Sequence, residues 1–428
     1  MARVVIGYPP IESKRGIVRL SQNRQLQFLP TPCFIYPMVP AYCATMLKQT
    51  GHEVFWLDGI AERKTYEQWE KELFNIKPDY LIMETKAPVI KKHWQIINKI
   101  KNQSLDKLGT KIKTILVGDH VTAFPEESLK NSKVDFVVRG GDYDFGVTDL
   151  IEGREGREGK EGRDGKEGRD GKNIDELPFI DRELTKWRLY AYENGNYKNT
   201  PGTYMYSGRD CWWGKCSFCI WNHTLNSCGT YRHFSPERLF AEVKHVVDTL
   251  KVKEIFDDAG TFMVGKPLRD FCNLMIESGY NKKINYGINM RFGVLKETDY
   301  QLMMKAGFRL ILYGLESANQ ETLNHLNKGV EVAEVVEELE GAKKAGLEPH
   351  VTAMIGYPWE SYSDGRNTVR FMRNLLKNNL IDYLQLTTIM PYPGTPLWRE
   401  AKEKKWLLTN NYEEYDMSRP VLKSLLTE

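Results

Sequence analysis

Short apolar runs alternate along this chain with stretches spaced like amphipathic helices, and that alternation leaves few folds open. In the first part, strands are expected over 3–7, 53–57, 80–84, 113–117 and 136–138. Helices are expected between them over 40–51, 65–76, 89–101 and 126–130. Consecutive strands separated by helices need crossover connections, so the expected sheet is parallel and doubly wound, Rossmann-like. Ligands of such sheets bind beyond the carboxyl ends of the strands. Those ends are Gly7-Tyr8-Pro9-Pro10, Asp58-Gly59, Glu84-Thr85-Lys86, Gly118-Asp119-His120 and Arg139-Gly140-Gly141.

A second alternating series begins after Asn173. Strands are expected over 204–206, 254–256, 284–288, 310–313, 350–354 and 383–387, with helices over 236–250, 266–278, 297–306, 332–345 and 363–379. Ser235 is placed as the N-cap of the first of these helices. Strand–helix units in this number suit a partial (β/α)6 barrel of the TIM type, with chemistry at the carboxyl ends of its strands. Between the two series, residues 153–172 repeat glycine every third position with a basic and an acidic residue between. The run holds no proline and no apolar residue, so neither a collagen helix nor a core can form from it, and a flexible linker is expected. The expected organisation is a doubly wound domain over 1–150, a linker over 151–173 and a barrel domain with a C-terminal extension over 174–428.

A length of 428 residues suits two or three domains, and 41% hydrophobic residues suffice for their cores. A net charge of +3 implies no strong field for nucleic acid or an anionic membrane. No apolar run approaches the ~20 residues of a membrane span. The amino terminus runs straight into a strand with no signal peptide, and three of the seven cysteines are clustered, so a reducing, cytoplasmic setting is expected.

The cluster is Cys211-Trp212-Trp213-Gly214-Lys215-Cys216-Ser217-Phe218-Cys219. Three thiolates on one short loop can hold three irons of a [4Fe–4S] cube and leave the fourth open to a small molecule. The same cysteines with His223 or Cys228 can form a zinc tetrad, and a disulfide pair is a third option. Spacing alone leaves these open. Cys33, Cys43 and Cys272 read as small core residues, and Cys228 as a spare thiol.

The loop, with an aromatic residue just before its last cysteine, resembles the cluster loop of radical S-adenosylmethionine (SAM) enzymes. More specifically, the chain resembles the subgroup with an N-terminal cobalamin-binding-type domain. Matching segments follow in order: Asp175-Glu176-Leu177-Pro178-Phe179, Phe256-Asp257-Asp258-Ala259-Gly260, Asn289-Met290-Arg291, Tyr313-Gly314-Leu315-Glu316-Ser317, Asn327-Lys328-Gly329, Ile355-Gly356-Tyr357-Pro358 and Pro391-Tyr392-Pro393-Gly394-Thr395-Pro396. Together they span about half the chain. The family interval between the first two cysteines is three residues, whereas four separate Cys211 from Cys216; Gly214 offers the freedom to absorb the extra one.

The resemblance implies reductive cleavage of SAM at a [4Fe–4S] cluster ligated by Cys211, Cys216 and Cys219, giving methionine and a 5′-deoxyadenosyl radical. It places Phe218 near the adenine, Asp257 and Asp258 near the cofactor's amino group or the substrate, and Glu316 and Ser317 at its ribose or methionine end. Ser317 also stands at capping-box spacing from Gln320. Arg291 is expected to bind a carboxylate or to pair with Glu316, and Gly356 to lie in a backbone shelf under the adenine. Gly118, Asp119 and His120 resemble the fourth-strand loop of the cobalamin domain. No histidine follows Asp58 in the Asp-x-His-x-x-Gly pattern, so a bound cobalt would lack that imidazole. The reaction implied is methyl transfer from cobalamin to an unactivated carbon of a small-molecule or lipid substrate. An external flavodoxin- or ferredoxin-type reductant is implied as well. The alternatives are a radical rearrangement, cyclisation or oxidation without methylation, and a zinc- or cluster-binding protein without catalysis.

Overall fold

The computed structural model describes residues 1–21, 24–108, 111–154, 173–225, 230–424 and 427. The glycine repeat, beyond its first residues, and Cys228 lie outside the described residues.

The first series forms strands β1 (Arg3–Tyr8), β2 (Ile17–Ser21), β3 (Arg24–Leu29), β4 (Glu53–Asp58), β5 (Tyr80–Glu84), β6 (Lys113–Val117) and β7 (Phe136–Val137). Five of them make one sheet in the order β4-β1-β5-β6-β7, parallel throughout. The order reverses direction between β1 and β5, which is the switch point where open parallel sheets bind ligands. β2 and β3 pair as a separate antiparallel hairpin that the alternation did not reveal. The helix Tyr66–Ile76 shows how locally the sequence acts: Thr65 and Gln68 close a capping box at its start.

The second series forms β8 (Gly202–Met205), β9 (Gly208–Arg209), β10 (Arg232–His233), β11 (Glu254–Asp257), β12 (Asn285–Met290), β13 (Phe308–Glu316), β14 (Glu348–Ile355) and β15 (Tyr383–Thr388). Six strands pair in the order β15-β14-β13-β12-β11-β8, all parallel, with crossover helices between most of them. This is the expected open, partial barrel. Ser235 caps the helix Pro236–Leu250 by accepting from Arg238 N. The helices Tyr143–Glu152 and Pro396–Glu403 were not anticipated.

One buried apolar cluster joins the two sheets, running from Val4 and Ile6 of β1 to Ile255 of β11 and Tyr286 of β12. Arg209, the last residue of β9, is buried and donates to Asp144 at 2.7 Å and to the carbonyl of Gly141 at 3.2 Å. Gly141 N in turn donates to Leu225 O. The loops after β6 and β7 therefore lie directly against the segment that follows the three cysteines. No helix among the described residues is long and apolar enough to cross a membrane.

Candidate active site

The cysteine loop is launched by Asp210, which is left-handed at φ 71°. Its carboxylate accepts from Cys211 N at 2.6 Å, from Thr230 Oγ1 at 3.3 Å and from Asn222 Nδ2. Gly214 does take the left-handed conformation, at φ 64°, within the lengthened first interval. Backbone bonds then fasten the loop to two distant segments: Ser217 N donates to Leu326 O and Leu397 N to Ser217 O, both at 3.0 Å. A π-helical turn, Trp221–Leu225, begins two residues after Cys219.

Cys211, Cys216 and Cys219 line one cavity of about 300 Å³. All three are free thiols. Burial pushes the Cys216 thiol up, and that of Cys219 well up, from the ordinary range. Among the described residues no three His, Cys, Asp or Glu side chains are gathered so as to hold a single metal ion. His223, the zinc candidate, directs Nε2 to the Cys216 carbonyl at 3.1 Å. A cube presents a different iron to each thiolate, so its ligands stand further apart than those of one ion. The donor set fits the cube.

At the same cavity, β13 ends in an irregularity. Its register against β14 slips between Gly314 and Glu316, and Glu316 is left-handed at φ 76°. Bulges of this kind re-aim side chains at strand ends. Here the carboxylate turns onto Lys328, whose Nζ donates to Glu316 Oε1 at 2.7 Å. Both residues are 8% exposed. A Cβ on residue 314 would meet Lys328 Nζ at 2.9 Å and Glu316 Oε1 closer still, so glycine there leaves the room in which this pair forms. Burial draws the Lys328 ammonium down, but Glu316 and Cys216 together outweigh it and its proton is held more tightly than usual. Lys328 belongs to the Asn327-Lys328-Gly329 motif, but sequence reasoning gave it no role.

The other expected residues divide. Phe218, Asp258, Arg291 and Glu316 line the cavity with the cysteines. Asp258 accepts from Asn289 Nδ2 at 2.9 Å, and the amide oxygen of Asn289, also on the cavity wall, is buried without a partner. Asp257 stands behind the wall instead. Its carboxylate accepts from Ser207 N at 3.1 Å, Ala259 N at 3.2 Å and Tyr286 OH at 2.9 Å, tying the segments after β8 and β11 to a side chain of β12. Burial raises its proton affinity.

Ser317 also misses the cavity. Its hydroxyl donates to Glu360 at 2.9 Å and accepts from Asn319 N at 3.1 Å, so it caps two residues on and not at Gln320. Gly356 is not among the lining residues; Thr352, Ala353 and Met354, slightly earlier on β14, take that place. The alternative pairing of Arg291 with Glu316 does not form, because Lys328 has the carboxylate. Arg291 Nη2 donates to the carbonyls of Lys328 and Gly329 at 2.6 and 2.7 Å.

Gly118, Asp119 and His120 follow β6, which lies between β5 and β7 in the first sheet, and none of the three lines the cysteine cavity. Asp119 pairs with buried Lys86 at 3.2 Å, while its Oδ1 is buried without a hydrogen-bond partner. His120 is enclosed by Trp94, Phe124 and Tyr412 and lies 3.3 Å from Glu127.

Residues 205–372, which contain this whole constellation except the far wall from Gln385 to Met417, match the Radical SAM superfamily. This part of the chain is a radical SAM domain, and the protein is an enzyme. The cofactors of this fold are a [4Fe–4S] cluster and SAM. An uncharacterized methyltransferase of Pyrococcus horikoshii is 28% identical over 401 residues, 90% of this chain and 83% of its own. The anaerobic magnesium-protoporphyrin IX monomethyl ester cyclase of Cereibacter sphaeroides is 24% identical over 409 residues, 90% of this chain and 63% of its own. The structure of the cobalamin-dependent SAM radical enzyme OxsB with aqua-cobalamin bound shares the fold. It has a TM-score of 0.72 at 14% identity, over 99% of this chain and 65% of that one. The present chain thus spans less than two thirds of the cyclase and of OxsB.

Proposed function

We propose that this radical SAM enzyme is a cobalamin-dependent methyltransferase acting on an unactivated carbon. The observation that carries the radical half of this reading is the convergence of Cys211, Cys216 and Cys219 on one cavity that Arg291, Asp258 and the Glu316–Lys328 pair also line. When bound, the cluster and SAM supply a 5′-deoxyadenosyl radical, and cobalamin supplies the methyl group. The chain's own part is to hold, orient and exclude water. The three thiolates ligate three irons and leave one open for the amino acid end of SAM. Asp258 and Glu316 offer acceptors to its ammonium and ribose hydroxyls, and Phe218 an apolar face to its adenine.

Support for cobalamin comes from the first sheet. Its strand order places a switch-point crevice at Tyr8, Glu84, Lys86 and Asp119, and Asp119 Oδ1 there lacks a donor. The far wall of the cavity, made by Met390, Tyr392 and Met417, carries no charge and suits an apolar acceptor. Electrons come from an external one-electron reductant.

The test is anaerobic reconstitution of the full chain. It should take up about four irons and release 5′-deoxyadenosine with a strong reductant. It should also keep the visible spectrum of cobalamin, and with a competent acceptor form S-adenosylhomocysteine beside deoxyadenosine. Deoxyadenosine without cobalamin retention would favour oxidation or cyclisation, the latter being the chemistry named for the Cereibacter sphaeroides relative. Zinc in place of iron would overturn the radical reading.

A further inference from the structure

Arg291 is 6% exposed, and its guanidinium is only half satisfied. Nη2 is spent on two carbonyls, whereas Nε and Nη1 are buried with no hydrogen-bond partner. Glu316, the carboxylate on the same wall, is bound to Lys328, so the charge of Arg291 is not met there. Each unmet buried donor costs about 1–3 kcal/mol, more when charged. A fold keeps such a group where a ligand completes it.

The side chain is held in place from one side. Its guanidinium carbon stacks 3.9 Å from the Trp213 ring and 5.2 Å from that of Trp212. Trp213 is anchored in turn by Nε1 donating to Asn327 O at 2.8 Å. Gly329, left-handed at φ 62°, leaves the space the Trp213 ring fills, and any Cβ there would collide with it. Both tryptophans lie in the four-residue interval between Cys211 and Cys216. The loop that supplies the cysteines therefore also supplies the clamp on Arg291, and both thiols are near enough to act on its charge.

We propose that Arg291 donates the free N–H groups of Nε and Nη1 to sulfur of the cluster held by Cys211, Cys216 and Cys219, raising its reduction potential, and that Trp213 positions it to do so. Hydrogen bonds and charge at the sulfurs are the protein's main means of setting such a potential. Adding an electron makes the cluster more negative, so a fixed cation beside it favours the reduced form. The inference rests on the cluster reading of the cavity.

The experiment is a potentiometric titration of the reconstituted full chain, followed by electron paramagnetic resonance, with iron and SAM affinity measured alongside. Arg291→Gln should keep its iron while the equilibrium constant for one-electron reduction falls about tenfold, which is about 59 mV. Trp213→Leu should shift it in the same direction by less, and Trp213→Phe should restore most of the potential. An unchanged potential in Arg291→Gln with weakened SAM binding would overturn the proposal and make Arg291 a carboxylate clamp. An unchanged potential in Trp213→Leu would remove the positioning role. If Arg291→Gln takes up no iron, Arg291→Lys replaces it; it keeps the charge but not the fork, and a potential equal to the wild type's would likewise overturn the proposal. A wild-type chain that binds no cluster overturns the parent reading as well, which separates the two failures.

Discussion

The two parallel sheets end in different ways. At the first, buried polar groups are matched largely to one another: Tyr8 and Tyr143 both donate to Glu84, at 2.6 and 3.2 Å. Tyr190 donates to Asp58 at 2.5 Å, and Lys86 pairs with Asp119. At the barrel, three thiols line a cavity with Arg291, whose Nε and Nη1 are buried without a partner, beside one matched pair, Glu316 with Lys328. An unmatched buried group is expensive, so its location marks where a ligand completes the fold. Equivalent topology thus yields one end that is mostly closed on itself and one that is built incomplete.

Removing a thiol is the strongest way to break that contrast. Cys216→Ala or Cys219→Ala should lower deoxyadenosine formation by orders of magnitude and cut iron content. The melting temperature of the apo-protein should move little, because a backbone bond from Trp221 to Cys219 is the tie the thiols are seen to make to the described residues. Loss of the folded state in the iron-free variant would show that the barrel end is structural after all.

The matched pairs supply a second contrast. Lys328→Met and Lys86→Met each strand a buried carboxylate, Glu316 or Asp119, and each should cost about 3–5 kcal/mol in urea unfolding. Stability should fall alike at the two ends, while SAM affinity, measured by equilibrium dialysis, should fall only in Lys328→Met. Equal loss of SAM binding in Lys86→Met would join the two ends into one site.

How far these differences can be read without a structure depends on their physical origin. Strands of both sheets were legible because period and crossover length act locally, and Tyr80–Glu84 and Lys113–Val117 fall where periodicity puts them. The cysteines were legible because three on one loop have few uses. The Glu316–Lys328 pair was not, since it depends on a left-handed residue at a strand bulge that only the packing of β14 and the cysteine loop creates. Ser317 misled for the same reason. One residue beyond the bulge, its hydroxyl turns behind the sheet to Glu360. The β2–β3 hairpin escaped because its polar residues give no clear face.

Asp58 sharpens the comparison through pH. Burial pushes its carboxyl up to about 6, against which the bonds from Tyr190, Ala61 and Ile60 act only in part. Between the ordinary value of 3.8 and about 6, the folded state binds a proton that the unfolded state has released, so stability falls as pH rises through that window. The loss from this group is about 3 kcal/mol. Unfolding free energies measured across the window should show that slope in the wild type, and a smaller one in Asp58→Asn. An identical slope in both would mean the carboxyl is not buried as the fold places it.

The smallest effect is expected where the two ends meet. Met417, on the uncharged cavity wall, is left-handed at φ 64° and its sulfur accepts from Gln27 Nε2 of the β2–β3 hairpin at 3.2 Å. A side chain in that region costs about 1 kcal/mol relative to glycine. Met417→Gly relieves this but loses the sulfur contact and frees the unfolded chain, so the opposing terms should nearly cancel. Chemical denaturation should find a net change below about 1 kcal/mol. The cavity, however, loses part of its apolar wall, so acceptor turnover should drop while SAM cleavage without acceptor stays as in the wild type. A large loss of stability would instead make the segment that carries Met417 a structural tie between the hairpin and the barrel, with the cavity wall a by-product of that tie.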